Sequence, residues 1–286
     1  LSRFYFRQGA NIALLLALNG SDTHYENVIA CGDEPYIVDL ETLFQPRLVA
    51  RATSQLEPSV LGSGMLPWKV RELGLPSDIS ALAAEEGQPT RYIDIVGTDD
   101  TLRVATITEA AGAPPSSPTK DVVRALAKFQ SSIETGFVTT YDLLRQHSIE
   151  TLSAVESCAG KRATRVLLRP TDAYCAVLAA MKHPDNCRDA IDAERCLGAL
   201  DSSLHWLPRS ERVRGREAAA LRCGEVPRFT ARFEGRELRD ASQTKVGVVI
   251  SETGKDGLAR TLSHFSPRHR DRQLAVIDLA LRTVSC

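Results

Sequence analysis

Lysine is scarce in this 286-residue chain: seven of its 35 basic residues are Lys and the rest are Arg. None of the seven precedes Asp22. Surplus charge is lacking too, since 35 Lys and Arg stand against 36 Asp and Glu, for a net charge of -1. That balance excludes a polybasic nucleic-acid binder, which needs extra cations to neutralise phosphates. Long apolar runs are missing: the most apolar, Ile12 to Leu18, falls far short of the roughly 20 residues that span a membrane. No charged-then-apolar secretory leader opens the chain, so a cytoplasmic location is expected. The seven cysteines (Cys31, Cys158, Cys175, Cys187, Cys196, Cys223, Cys286) are odd in number and hold no C-x-x-C pair. Structural zinc and secreted disulfide frameworks use other patterns, so reduced, mostly buried thiols are expected. What is present, 43% hydrophobic and 25% charged residues, is the composition of a globular chain able to bury a sizeable core.

Hydrophobic spacing lays out the elements. Phe4, Ile12, Leu15 and Leu16 recur at helical intervals over residues 2–18, and Asn19-Gly20 is a stop signal. After a polar loop at 21–27, residues 28–30 and 36–40 read as short strands about the turn Cys31-Gly32-Asp33-Glu34-Pro35. Residues 44–89 carry no period and are expected to be irregular. Residues 91–96 and 101–107 predict a hairpin across Gly97-Thr98-Asp99-Asp100. The proline-rich stretch 111–119 reads as a loop or linker. Helices are expected over 120–146, 171–182, 186–200, 210–221, 257–262 and 268–284, and strands over 162–168 and 228–233. No repeat or low-complexity tract interrupts this order. Helix-rich with short sheets, the chain falls in the α+β class.

Chemistry concentrates in Ser21-Asp22-Thr23-His24-Tyr25-Glu26-Asn27, followed by Asp39-Leu40-Glu41. Phosphoryl transfer from ATP needs a carboxylate at the attacking hydroxyl and hard oxygen ligands for Mg2+. Asp22 in the loop, Asn27 five residues on, and Asp39 beyond a hairpin supply that set. The hairpin is expected to fold Asp39 back beside Asn27, so that both can share a metal, with Glu41 on the same strand face as Asp39. His24 stands where it can orient Asp22 or touch the transferring phosphate. Each residue alone fits a capped turn and a solvated hairpin. D-x-H-x-x-N followed by D-x-E fits a kinase.

Taken together, the first helix, G-S-D-T-H-Y-E-N and V-I-A-C-G-D-E-P-Y-I-V-D-L-E-T-L closely resemble the dehydratase domain of class II lanthipeptide synthetases of the LanM type. Shorter matches extend the resemblance over nearly the whole chain. They are Val96-Gly97-Thr98-Asp99, Gly136-Phe137 to Tyr141, Arg165 through Arg169-Pro170-Thr171, Gly224-Glu225-Val226-Pro227, and Arg272-Gln273. The resemblance implies the C-lobe of a kinase-like fold, related to the phosphoinositide lipid kinases, with a helix-rich family-specific extension. It implies phosphorylation of Ser and Thr in a precursor (leader-core) peptide, using ATP and Mg2+, then phosphate elimination to dehydroalanine or dehydrobutyrine. Asp22 would be the general base or orienting carboxylate and His24 its support. Asn27 and Asp39 would bind Mg2+, and Glu41 would complete the phosphorylation site. Arg165 and Thr171, six residues apart, would serve elimination.

Elementary chemistry agrees with the last pair. A planar guanidinium grips two oxygens of a leaving phosphate at once, and Thr171 or Asp172 would open a helix whose free N–H groups favour anions. If 162–168 is a strand, Arg165, Leu167 and Arg169 share one face, which makes Arg169 a weaker candidate for phosphate contact. On spacing alone, an ordinary edge-strand arginine and a helix-capping threonine are the favoured reading of the pattern, and only the resemblance turns it toward elimination.

Leu1 rather than Met opens the chain, inside a helix that leads straight to the catalytic loop, with no upstream Lys for the ATP phosphates. A partial domain is therefore expected: 1–60 a kinase-like catalytic core, 61–160 an irregular segment, hairpin and long helix, and 161–286 the elimination motif and helical tail. The N-lobe and the family's cyclase domain, with its Zn2+, are expected outside this chain, and the piece alone is expected to be inactive and to bind ATP weakly. Glu225-Val226-Pro227-Arg228-Phe229 departs mildly from the family's Asp-Ile-Pro-Tyr-Phe. Two other functions share parts of the pattern. A small-molecule kinase of the aminoglycoside or choline phosphotransferase type would have D-x-H-x-x-N and D-x-E without Arg165 and Thr171. A truncated peptide-binding module would have no activity. Gly62-Ser63-Gly64 with Lys69 lacks the G-K-[ST] ending of a phosphate loop and reads as a flexible loop, and His264, Arg268, His269, Arg270 and Arg272 read as a solvated helix start.

Overall fold

A computed structural model describes residues 1–48, 59–67, 80–83, 90–96, 103–109, 116–119, 122–160, 162–169, 171–186, 188–201 and 210–284. Trp68, Lys69, the turn 97–100, residues 111–115, Pro170, His205 and Trp206 lie outside them, as does the side chain of Asp172. The first half holds α1 (Ser2–Ala17), β1 (Val28–Cys31), β2 (Glu34–Ile37), β3 (Arg47–Leu48), β4 (Thr90–Val96), β5 (Arg103–Glu109) and α2 (Val122–Gln146). The second holds α3 (Ser148–Ala159), β6 (Ala163–Val166), α4 (Thr171–Lys182), α5 (Ala190–Gly198) and α6 (Glu211–Arg222). It closes with β7 (Phe229–Arg232), β8 (Glu237–Arg239), β9 (Lys245–Glu252), α7 (Gly254–Ser263) and α8 (Pro267–Val284). Helices and small antiparallel sheets thus mix, in agreement with the α+β expectation. Two compact units divide the chain: Leu1–Leu40 with Pro58–Gln146 and His264–Cys286, and Glu41–Glu57 with His147–Ser263.

The first unit is built on α1 and α2. Leu126, Ile133, Phe137 and Tyr141 line one buried face of α2, and Phe4, Tyr5, Ile12 and Leu16 one of α1. The helices touch backbone to backbone where Gly9 and Gly136 sit: a Cβ at Gly9 would lie 1.9 Å from Ile133 O, and one at Gly136 1.8 Å from Phe6 O. Tyr5 stacks on Phe129 with ring centroids 5.2 Å apart. At the far end of α2 the Tyr141 hydroxyl meets His269 Nδ1 of α8 at 2.7 Å, and burial pushes the Tyr141 phenol up to about 12. His269 is 2% exposed, and Gln273 accepts the Val60 N–H at 3.0 Å. The expectation of a solvated start to α8 holds at the exposed His264, Arg268 and Arg272. It is corrected at His269, which the apolar register turns inward, while the half-buried Arg270 pairs with Asp142.

In the second unit, one five-stranded antiparallel sheet has the order β3-β9-β8-β7-β6. Val166, Leu168, Val213, Phe229, Ala231, Leu238, Val246 and Ile250 form its core. A second cluster of Tyr174, Val177, Leu197, Leu200, Ala218 and Leu221 joins α4, α5 and α6. Five described cysteines are free thiols, and Cys31, Cys158, Cys175 and Cys223 are exposed, which corrects the expectation of mostly buried thiols. No helix among the described residues is long and apolar enough to cross a membrane.

Candidate functional site

In the first unit the polar loop after α1 gathers three of the expected residues. Thr23 is buried, and its N–H donates to Ser63 O at 2.9 Å. Gly64 sits beside it at φ +80°, where a Cβ would come within 3.0 Å of Thr23 N, so both conformation and space call for glycine. The segment read as a flexible phosphate-loop imitation, Gly62-Ser63-Gly64, is instead the brace that holds this loop. His24 pairs with Ser80 in an antiparallel bridge and opens the short turn Tyr25–Asn27, its Nδ1 accepting the Glu26 N–H at 3.3 Å. Asn27 Nδ2 donates to Asp22 O at 2.8 Å and lies 3.3 Å from His24 Nε2. His24 Nε2 is 4.0 Å from Asp22 Oδ1. Asp22, His24 and Asn27 therefore share one loop.

The hairpin that follows continues from Asn27. Val28 pairs with Ile37, and Val38 N–H donates to Asn27 O at 2.9 Å, so Asp39 is the next residue after the one bonded to Asn27. Asp22 (φ 63°) and Asp39 (φ 57°) both occupy the left-handed region, which non-glycine residues seldom adopt and which is enriched at functional sites. The expected strand over 36–40 ends at Ile37, because the left-handed Asp39 breaks the extended backbone. The strand-face alternation expected between Asp39 and Glu41 is corrected accordingly.

Asn27 and Asp39 offer hard oxygen atoms. With Asn27 Nδ2 held by Asp22 O, the amide presents Oδ1 on its other side. Among the described residues no three His, Cys, Asp or Glu cluster to hold a metal. A carboxylate and an amide oxygen are donors of the kind Mg2+ accepts, its shell commonly completed with phosphate oxygens and water.

Glu41 belongs to the second unit, where it joins the other half of the expected set. Arg165 N–H donates to Glu41 O at 3.2 Å, and Thr164 Oγ1 donates to Glu41 O at 2.9 Å and to Leu43 O at 2.6 Å. Gln45 Nε2 donates to Arg165 O at 2.6 Å. On this frame the Arg165 guanidinium pairs with the Glu41 carboxylate through Nη1 and reaches Thr171 Oγ1, at the start of α4, with Nη2 at 3.5 Å. Glu41, Arg165 and Thr171 thus meet, although 124 residues separate the first two. Arg169 does not join them. β6 ends at Val166, and Arg169 is 3% exposed with its charge spent on Glu217, so the expectation that it contacts phosphate is corrected. Its partner Glu217 lies 48 residues away in the chain, and nothing in the sequence shows that Tyr174, although close to Arg169, turns its hydroxyl to the same carboxylate.

Residues 1–232 match the family described as a domain of unknown function, DUF4135. The chain is also similar to the lacticin 481/lactococcin biosynthesis protein LcnDR2 of Lactococcus lactis subsp. lactis, at 25% identity over 209 residues. That similarity covers 64% of this chain and 22% of the relative, so the chain spans about a fifth of the relative's length.

Proposed function

Because the chain belongs to the DUF4135 domain family and is similar to a lacticin 481/lactococcin biosynthesis protein, we propose that it is the dehydratase part of a LanM-type lanthipeptide synthetase. In this reading its fold is the C-lobe of a kinase with a helix-rich extension, and a longer enzyme supplies an N-lobe and a cyclase domain. Its substrates are ATP and a precursor peptide, and its use of ATP places the reaction in the cytoplasm. One observation supports this reading over a simple small-molecule kinase or a binding module: Arg165 engages both Glu41 of the D-x-E motif and Thr171. The small-molecule kinases that share D-x-H-x-x-N and D-x-E lack this arginine and threonine pair.

The residues divide the chemistry into two steps. First, a Ser or Thr hydroxyl attacks the γ-phosphorus of ATP; the new O–P bond forms as the bond to ADP breaks, and the hydroxyl proton passes to Asp22. His24 keeps the Asp22 carboxylate oriented. Asn27 and Asp39 would hold Mg2+, which when bound neutralises charge on the phosphates. Second, the phosphate leaves Cβ with the C–O electron pair, the α-proton leaves to a carboxylate, and the C–H pair becomes the double bond. Arg165 and Thr171 receive the departing phosphate. As phosphate replaces Glu41 on Arg165, the Glu41 carboxylate becomes available to accept the α-proton.

Asp22→Asn in the full-length protein tests the first step. Phosphorylation of a Ser peptide should fall about a hundredfold to ten-thousandfold, while a peptide carrying preformed phosphoserine should still yield dehydroalanine. Mass spectrometry of both peptides reads the result, and unmodified peptide dehydrated at the parent rate would overturn the role of Asp22.

A further inference from the structure

Glu217 of α6 is 0% exposed, and an ionised carboxylate so placed is costly unless fully partnered. Its Oε1 accepts the Arg169 Nε–H at 2.8 Å and the Tyr174 hydroxyl at 2.7 Å, and its Oε2 accepts an Arg169 Nη2–H at 3.3 Å. Arg169 Nη2 also donates to Leu200 O at 2.6 Å. Burial, with the neighbouring Glu217 charge, pushes the Tyr174 phenol well above its ordinary range, so it remains a donor. Arg169 stands two residues before Thr171, and Tyr174 stands three after it, one turn into α4. One carboxylate therefore ties down the chain on both sides of Thr171. A buried ion pair usually adds little stability compared with apolar packing, and in some proteins it serves instead to specify geometry. Here its two anchors flank the residue whose hydroxyl lies 3.5 Å from Arg165 Nη2.

We propose that Glu217, acting through Arg169 and Tyr174, is the positioning group that sets the Thr171 hydroxyl opposite Arg165 for phosphate elimination. This rests on the dehydratase reading above. It assigns no contact with substrate to any of the three residues.

Tyr174→Phe removes one hydrogen bond and leaves the Arg169–Glu217 pair, and Glu217→Asp keeps the charge but shortens its reach. Each variant is made in the full-length protein and given ATP, Mg2+ and a Ser-containing precursor peptide, with phosphorylated and dehydrated products followed by mass. Phosphorylation is expected at the parent rate. Elimination is expected to slow about tenfold or more, with unchanged KM for the phosphopeptide, so that phosphopeptide accumulates. Should Glu217→Asp fail to fold, the milder Tyr174→Phe decides. Elimination at the parent rate, or an equal fall in both steps, overturns the positioning role. A parent protein that makes neither product overturns instead the dehydratase reading on which it rests.

Discussion

Arg165→Ala in the full-length protein is expected to leave phosphorylated peptide where the parent leaves dehydrated peptide. The guanidinium is the cation that pairs with Glu41 and reaches Thr171, and its loss leaves the departing phosphate without a matched counter-charge. Removing one such preorganised donor costs about a hundredfold to a thousandfold in rate. Phosphorylation should persist, because Asp22, His24 and Asn27 are held by contacts inside their own unit: Asn27 to Asp22 O, and Thr23 to Ser63 O. The local backbone should persist as well, since the bonds of Arg165 N–H to Glu41 O and of Gln45 to Arg165 O do not use the side chain. Arg165→Lys keeps the charge without the two-pronged grip and should fall between the two. Time-resolved mass spectrometry of the peptide reads all three proteins, and dehydration by Arg165→Ala at the parent rate would remove this residue from the elimination step.

The second large effect concerns the fold. At Gly136 an added Cβ would lie 1.8 Å from Phe6 O and 2.7 Å from Phe6 C, both backbone atoms. No rotamer change relieves a clash between main chains, so Gly136→Ala must force α1 and α2 apart and loosen the buried face of Tyr5, Ile12, Ile133 and Phe137. The expected loss is about 3 kcal/mol, at the upper end of overpacking costs. Gly215, inside α6 with nothing within 4 Å of its added Cβ, is the control. Gly215→Ala should be neutral or stabilising by up to about 1 kcal/mol, because alanine favours the helix more than glycine does. Urea denaturation of the two variants beside the parent measures the contrast, and equal stability of all three would contradict the close crossing of α1 and α2.

What could be read from the sequence was local. α1, α2 and α4 follow from apolar spacing along a single helix face, and their ends fall within a residue or two of those expected. The loop from Asp22 to Asn27 was legible for the same reason, since the contacts that join Asp22, His24 and Asn27 to one another span five residues or fewer. Its braces at Ser63 and Ser80 come from far along the chain and were not. The left-handed backbone at Asp22 and Asp39 was not legible, because nothing in the residue types demands it. β3, β8 and β9 escaped notice. β8 is Glu237-Leu238-Arg239, two charges about one leucine, and β3 finds its partner across 204 residues, where Ser251 Oγ donates to Arg47 O. α3 was missed because it begins two residues after α2 ends and carries little apolar periodicity, with Ile149 itself 81% exposed. The Arg169–Glu217 pair, 48 residues apart, shows the same limit. An arginine two positions from a candidate phosphate-binding threonine invites a phosphate contact, and only the packing of α4 against α6 reveals that its partner is a buried glutamate.

The most direct test of the account is the mass of a Ser- and Thr-containing precursor peptide after incubation with the full-length protein, ATP and Mg2+. The expected product is lighter by one water for each modified residue, with ATP converted to ADP and phosphate. A peptide that gains a phosphoryl group and keeps it, or one returned unchanged, would contradict it.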